Sequence, residues 1–120
     1  MPLGRRTKKE VIRVNTNCYD FVAAIRDEFV SPSAEIFISA PVGTRYDAYS
    51  PELALTAKES ARYHDWQINA LADLGIDTLL FTSMSSFPEA LGCAQVAAKT
   101  NVPYLVSFIL QSVYYFLLGS

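Results

Sequence analysis

The sequence has few of the residues that hold metal ions, with 2 cysteines and 1 histidine among 120 residues. Cys18 and Cys93 lie far apart and form no CxxC pair, so their spacing predicts reduced thiols rather than a zinc site. A Ser-His-Asp order, a P-loop and a GxGxxG motif are also missing. The motifs therefore predict no catalytic residue and no metal ligand.

Basic charge is scarce too, because the net charge is -2 and the one basic cluster is Arg5, Arg6, Lys8 and Lys9. Nucleic-acid binding needs a larger basic surface, so this cluster predicts a solvated tail and no nucleic-acid partner. Residues 1–10 read as a flexible leader without the apolar segment of a secretory signal. Together with the isolated cysteines, this favours a cytoplasmic location.

No apolar run reaches the roughly 20 residues of a membrane helix. The longest candidate runs from Tyr104 to Leu118 and is interrupted by Ser107, Gln111 and Ser112. Its first part predicts a buried strand, and the rest predicts a hydrophobic stretch without a partner. The sequence therefore predicts no membrane attachment.

The clearest pattern is an alternation of three strands, Glu35–Ala40, Ile76–Ser83 and Tyr104–Phe108, with helices between them. Each strand is an apolar run, which is typical of a strand covered on both faces. Helices between such strands predict an α/β fold with a parallel sheet. The pattern alone fits either a small doubly wound domain or an arc of a (β/α)₈ barrel, of which 120 residues would be about half.

Helix signals accompany the strands. Val11–Val14 is β-branched and predicts a short strand, whereas the apolar spacing within Tyr19–Phe29 predicts a helix. Thr56 and Glu59 form a capping box before a helix that ends at Leu74. Ser86 and Glu89 repeat this start signal before a helix that ends near Lys99, and Gly75 supplies a left-handed stop.

Candidate binding residues lie at the ends of the predicted strands, where α/β folds place their sites. They are Asn17, Gly43, Thr82 and Ser83. Gly43 fits either a close approach to a ligand or a tight turn. Arg45 fits either a pair with Asp47 or an anionic ligand. His64 and Cys93 fall on helix faces and predict packed side chains, with one hydrogen-bonded nitrogen on the histidine.

Five segments, in this order and spacing, resemble the homocysteine S-methyltransferase family. Ala40–Pro51 is similar to its Gly-Pro-(Arg/Tyr)-Gly-Asp-x-Tyr-x-Pro loop, and Tyr63–Ile68 to its Tyr/Phe-His-x-x-Gln helix. The remaining matches are Ala72–Leu80 with an Ala-x-x-Gly-(Val/Ala)-Asp segment, Glu89-Ala90 with a Glu-Ala pair, and Pro103–Phe108 with a Pro-x-x-(Ile/Val)-Ser-Phe strand. Thr16-Asn17 weakly resembles a Thr-Asn at an earlier strand end.

The resemblance implies that residues 11–120 form a partial (β/α)₈ TIM barrel of about three to four βα units with parallel strands. The family transfers a methyl group from a donor to the homocysteine thiol and gives methionine, and three cysteine thiolates hold its zinc. Their Gly-Gly-Cys-Cys-like segments are absent here, so no zinc is expected on this chain. Thr82 and Ser83 replace a Glu-Thr pair that binds the amino acid.

The resemblance thus implies a truncated or divergent member of the family, whose small-molecule substrates are homocysteine and a methyl donor and which does not catalyse the transfer alone. The residues expected to bind substrate are Asn17, Gly43, Thr82 and Ser83. The alternative is a non-catalytic α/β module that binds a ligand or self-associates through its open sheet edges.

Overall fold

The computed structural model describes residues 6–110 as three helices and a three-stranded parallel sheet. The elements in chain order are α1 (Lys8–Phe29), β1 (Ser39–Val42), α2 (Ala57–Ala72), β2 (Thr78–Met84), α3 (Phe87–Ala97) and β3 (Tyr104–Phe108). A short 3-10 helix, Pro51–Leu53, lies between β1 and α2. The α/β class and the parallel strands are confirmed. The start of the predicted leader and the apolar stretch from Gln111 onward lie outside the described residues.

The predicted strand Val11–Val14 is wrong, because these residues lie inside α1. Thr7 and Glu10 form a reciprocal capping box that starts the helix: the Thr7 hydroxyl accepts from the Glu10 N–H, and Glu10 accepts from the Thr7 N–H at 2.8 Å. A cap that satisfies two free N–H groups outweighs the modest helix cost of β-branched residues. α1 therefore includes the predicted helix Tyr19–Phe29 and the last three residues of the predicted leader.

β3 has the predicted bounds, and β2 is displaced by one or two residues from its predicted bounds. β1 begins four residues later than predicted, because its register pairs Ser39 with Thr78, the first residue of β2. Just before that point the Asp77 carboxylate accepts from the Ile38 N–H at 2.7 Å. Pro41 is tolerated within β1 because this strand forms an edge of the described sheet and needs no donor there.

The hydrophobic core lies between one face of the sheet and the helices α2 and α3. Both helices lie on the same side of the sheet, as expected when parallel neighbouring strands follow the chain order. The buried strand residues Ala40, Val42, Leu79 and Phe81 face them. The expectation that each strand is covered on both faces is wrong. β1 alternates exposed and buried residues, and all five residues of β3, which was predicted to be buried, are exposed. Within residues 6–110 no second layer covers the other face.

The two core helices approach each other closely at Gly92 of α3. A Cβ at this position would lie 2.6 Å from the Ser60 Cβ of α2 and would also collide with the Ala57 carbonyl. Gly75 adopts the predicted left-handed conformation, with φ of 90°, after α2. Of the helices in the described part of the chain, none is long and apolar enough to cross a membrane.

Candidate functional site

The carboxyl edge of the sheet carries the candidate site. The loop 43–55 follows β1, Ser85 follows β2, and Ile109 follows β3. These segments enclose an open recess of about 210 Å³ that is lined by Ala48, Tyr49, Pro51, Ser85 and Ile109. Parallel α/β sheets bind their ligands outside the carboxyl ends of the strands, so this edge is where a substrate would be expected.

Three hydroxyl groups meet near this edge. Thr82 Oγ1 lies 3.4 Å from Ser83 Oγ, and the Ser83 N–H donates to Ser107 Oγ of β3 at 3.0 Å. Ser83 has φ of 55°, a conformation that costs energy for a residue other than glycine, and it lies where the register of β2 and β3 shifts. Strain of this kind is frequent at binding sites. The two predicted residues therefore lie together, with Ser107 as a third that the sequence analysis missed.

Gly43 and Asn17 differ in their relation to these hydroxyls. Gly43 directly follows Val42, and Thr82 directly follows Phe81, the register partner of Val42, so both residues lie at the carboxyl edge. Its φ is not left-handed, and a Cβ there would meet nothing within 4 Å, so neither a tight turn nor a close packing contact explains the glycine. Asn17 lies in the middle of α1 and is exposed, not at a strand end. Its role in binding stays a prediction.

A buried polar cluster supports the loop 43–55 from below. Glu89 of α3 is fully buried, and its carboxylate accepts from the Arg45 N–H at 2.9 Å and from the Leu55 N–H at 3.5 Å. His64 Nε2 lies 3.3 Å from the same carboxylate, and Ser60 Oγ donates to the Glu89 carbonyl at 2.6 Å. His64 Nδ1 is buried and has no partner among the described residues. The predicted packed histidine with one bonded nitrogen is confirmed.

Within the described residues Arg45 does not pair with Asp47, one of its two predicted partners, and the alternative of an anionic ligand stays a prediction. Its guanidinium lies over the rings of Tyr63 and Tyr46, at 4.6 and 5.0 Å from their centroids, which is cation–π geometry. Asp47 instead accepts from the Tyr49 N–H at 2.9 Å and tightens the loop locally. No ion pair joins Arg45 and Asp47 in the range 6–110. The stacking holds the arginine beside α2.

A model of the homocysteine S-methyltransferase family matches residues 3–117. The chain belongs to this family. The match covers nearly the whole sequence and includes the strands, the loop 43–55 and the hydroxyl-bearing edge. Searches of curated proteins and of solved structures found no match. The family resemblance that the motif order indicated is thereby confirmed.

The residues in this structure do not fit the zinc centre of the homocysteine S-methyltransferase family. Among residues 6–110, no group of three His, Cys, Asp or Glu side chains is close enough to hold a metal ion. Cys18 is exposed on α1, and Cys93 is buried in α3. Burial raises the pKa of the Cys93 thiol to about 11, which opposes the thiolate form that zinc requires. No step of a reaction can be derived through zinc on these residues.

Proposed function

We propose that this chain supplies part of the homocysteine-binding side of a (β/α)₈ barrel. The family match carries the proposal. The strand order β1-β2-β3 supports it, because neighbouring barrel strands follow the chain, whereas a doubly wound sheet reverses its order at the ligand site. The sheet face that no described element covers would then face the barrel interior.

The substrate would bind at the carboxyl edge through its amino-acid end. The hydroxyls of Thr82, Ser83 and Ser107 both donate and accept hydrogen bonds, so they suit an ammonium and a carboxylate group. Gly43 at the same edge leaves open space for a ligand. Thr82 stands where many members of the family carry glutamate, so the ammonium group of homocysteine lacks a charged partner at that position. We therefore expect weak binding.

Methyl transfer to the homocysteine thiol would need groups that these 120 residues do not supply. A nucleophilic thiolate at neutral pH requires a metal ion or another group that lowers the thiol pKa. Neither cysteine is suited to a zinc site, since one is exposed on α1 and the other is a buried protonated thiol. The chain would bind homocysteine but would not transfer a methyl group alone.

The test is a titration of the purified chain with homocysteine, in which binding is measured by calorimetry or by NMR shifts at Ser83 and Ser107. Thr82→Val removes one hydroxyl at the carboxyl edge and should weaken binding about fivefold, the value of one hydrogen bond of roughly 1 kcal/mol. Thr78→Val is the matched control at the opposite end of β2 and should leave the affinity unchanged. Equal affinities for all three proteins would refute the site.

The same preparation answers the question of catalysis. Metal analysis should find no stoichiometric zinc, and incubation with homocysteine and methyl donors should give no methionine. A relative that keeps its zinc-binding cysteines serves as the positive control. One zinc per chain together with turnover would show that the metal centre is complete and that this part of the proposal is wrong.

The second candidate function is a self-associating module, and specific features favour it. β1 and β3 are the edges of the sheet described here, and edge strands pair readily with other chains. Phe37 and Leu105 are apolar and 65% and 62% exposed. This candidate predicts concentration-dependent association and no response to homocysteine, so the titration above separates the two.

A further inference from the structure

The start of α3 departs from a rule that the other two helices follow. At α1 and α2 the carboxylate of the glutamate three residues after the cap accepts a hydrogen bond from the backbone N–H of the cap residue. The N···O distance is 2.8 Å for Glu10 and 3.4 Å for Glu59. At α3 the Ser86 hydroxyl accepts from the Glu89 N–H at 3.3 Å, but the Glu89 carboxylate does not accept from the Ser86 N–H. When a glutamate at this position does not bond to the cap N–H, we expect its carboxylate to have other hydrogen-bond partners.

The Glu89 carboxylate points instead into the protein, toward the loop 43–55. It accepts from the N–H groups of Arg45 and Leu55, which lie near the two ends of this loop. One buried side chain thus joins the start and the end of the loop between β1 and α2. Hydrogen bonds to a carboxylate are about twice as strong as neutral ones, and a buried carboxylate is costly unless it has such partners.

Two residues of α2 fix the position of Glu89. Ser60 Oγ donates to the Glu89 carbonyl at 2.6 Å, and His64 Nε2 lies 3.3 Å from the carboxylate oxygen that Arg45 also contacts. All three residues are at most 1% exposed. The close approach of α2 and α3 at Gly92 brings these groups within reach of one another. The glutamate is therefore fixed by contacts with α2, and its carboxylate connects this helix pair to the loop 43–55.

We propose that Glu89 is a positioning residue that holds the loop 43–55 at the carboxyl edge and so shapes the recess there. Ala48, Tyr49 and Pro51 of this loop line the recess, and none of them belongs to the hydrophobic core. Their placement depends on how the loop ends are tied. The proposal depends on the proposed function only for the identity of a ligand at the carboxyl edge, because the anchoring itself is measurable without a ligand.

The experiment is residue-resolved amide hydrogen exchange of the full chain and of Glu89→Gln. Glutamine keeps the size of the side chain but loses the charge and one acceptor. Exchange at the Arg45 and Leu55 amides should accelerate at least about tenfold, while the amides of Leu79 and Phe81 in β2 should stay within about twofold. Glu52→Gln, the same change at an exposed position of the same loop, is the matched control and should alter neither set.

A purely structural role would give a different result. If Glu89 only stabilised the core, the β2 amides would accelerate together with those of the loop, and that outcome would overturn the proposal. Unchanged exchange at Arg45 and Leu55 would overturn it as well. Trypsin cleavage after Arg45, the only basic residue of the loop 43–55, gives a second readout and should be faster in Glu89→Gln than in Glu52→Gln. Because no homocysteine is added, failure here is distinct from failure of the homocysteine titration.

Discussion

The two cysteines of this chain have opposite surroundings. Cys18 is exposed on α1, whereas Cys93 is completely buried in α3 at 3.6 Å from Ser60 Oγ. Burial is the main cause that raises the pKa of the Cys93 thiol to about 11; the contact with Ser60 opposes it, and the nearby Glu89 carboxylate adds to it. Since the thiolate is the reactive form, two features lower the reactivity of Cys93: its thiol stays protonated, and reagents cannot reach it.

We expect iodoacetamide at about pH 8 to modify Cys18 and to leave Cys93 unmodified in the folded chain. Mass spectrometry of tryptic peptides after timed quenching measures both rates, and the chain in denaturant should lose the difference. The free energy of unfolding also depends on pH, and the sign of this dependence follows from the raised pKa of the Cys93 thiol. The folded state binds this proton more tightly, so the stability that Cys93 contributes is complete below its unfolded pKa of about 9 and is lost as pH rises toward 11. Equal labelling of both cysteines in the native chain would contradict the buried position.

The helix α1 differs from α2 and α3 because none of its residues is buried. Its apolar residues Phe21 and Phe29 are 69% and 67% exposed, and Tyr19 OH donates to the Gly75 carbonyl at 3.2 Å. With so little tertiary packing, the stability of α1 depends on local signals, of which the Thr7–Glu10 capping box is the strongest. The helix is therefore expected to open separately from the sheet.

Thr7→Ala removes the cap and should destabilise α1 by about 1 kcal/mol, which is about a fivefold increase in amide exchange along the helix. The amides of α2 and β2 should keep their wild-type rates, since they belong to the core. Thr16→Ala is the matched control, because Thr16 lies inside the same helix and its hydroxyl only donates to the Ile12 carbonyl. It should be neutral or slightly stabilising. An equal acceleration in both variants would mean that the cap does not hold the helix.

The sequence signals that depend on neighbouring residues predicted the elements well. The capping box of α2, the left-handed Gly75 and the bounds of β3 are all confirmed. The predictions were wrong where a contact distant in the sequence, or a competing local signal, determines the element. Val11–Val14 has strand propensity, but the cap four residues earlier starts a helix through it. The late start of β1 depends on the register with Thr78, which no local pattern encodes.

The candidate site was partly predictable for the same reason. Thr82 and Ser83 lie at the edge because they end a strand that the apolar pattern revealed. Asn17 was named as a strand-end residue only because the strand before it was predicted, and it lies in α1 instead. Ser107 and the Glu89 carboxylate were missed, since their roles depend on contacts across 24 and 44 residues of sequence. The Ser86–Glu89 start signal was visible in the sequence. It did not indicate that the Glu89 carboxylate bonds to the loop 43–55 and not to the Ser86 N–H.

One side of the sheet holds the hydrophobic core, and the other side has no cover among residues 6–110. Leu105 of β3 pairs in register with Leu80 of β2, so both lie on the uncovered face, where Pro41 of β1 also lies. In a barrel this face would pack against side chains of the remaining strands. An isolated sheet with such a face and two unpaired edges is expected to cover them by association with a second copy.

We therefore expect the average mass of the purified chain to rise with concentration in sedimentation equilibrium. Leu105→Lys places a charge on the uncovered face and beside the β3 edge, so it should raise the monomer fraction, because lysine opposes strand pairing at edges. Leu53→Lys introduces the same charge at a residue of the loop 43–55 that is 52% exposed, and it should leave the association unchanged. A chain that stays monomeric at every concentration, or two variants with the same effect, would show that the open face does not drive association.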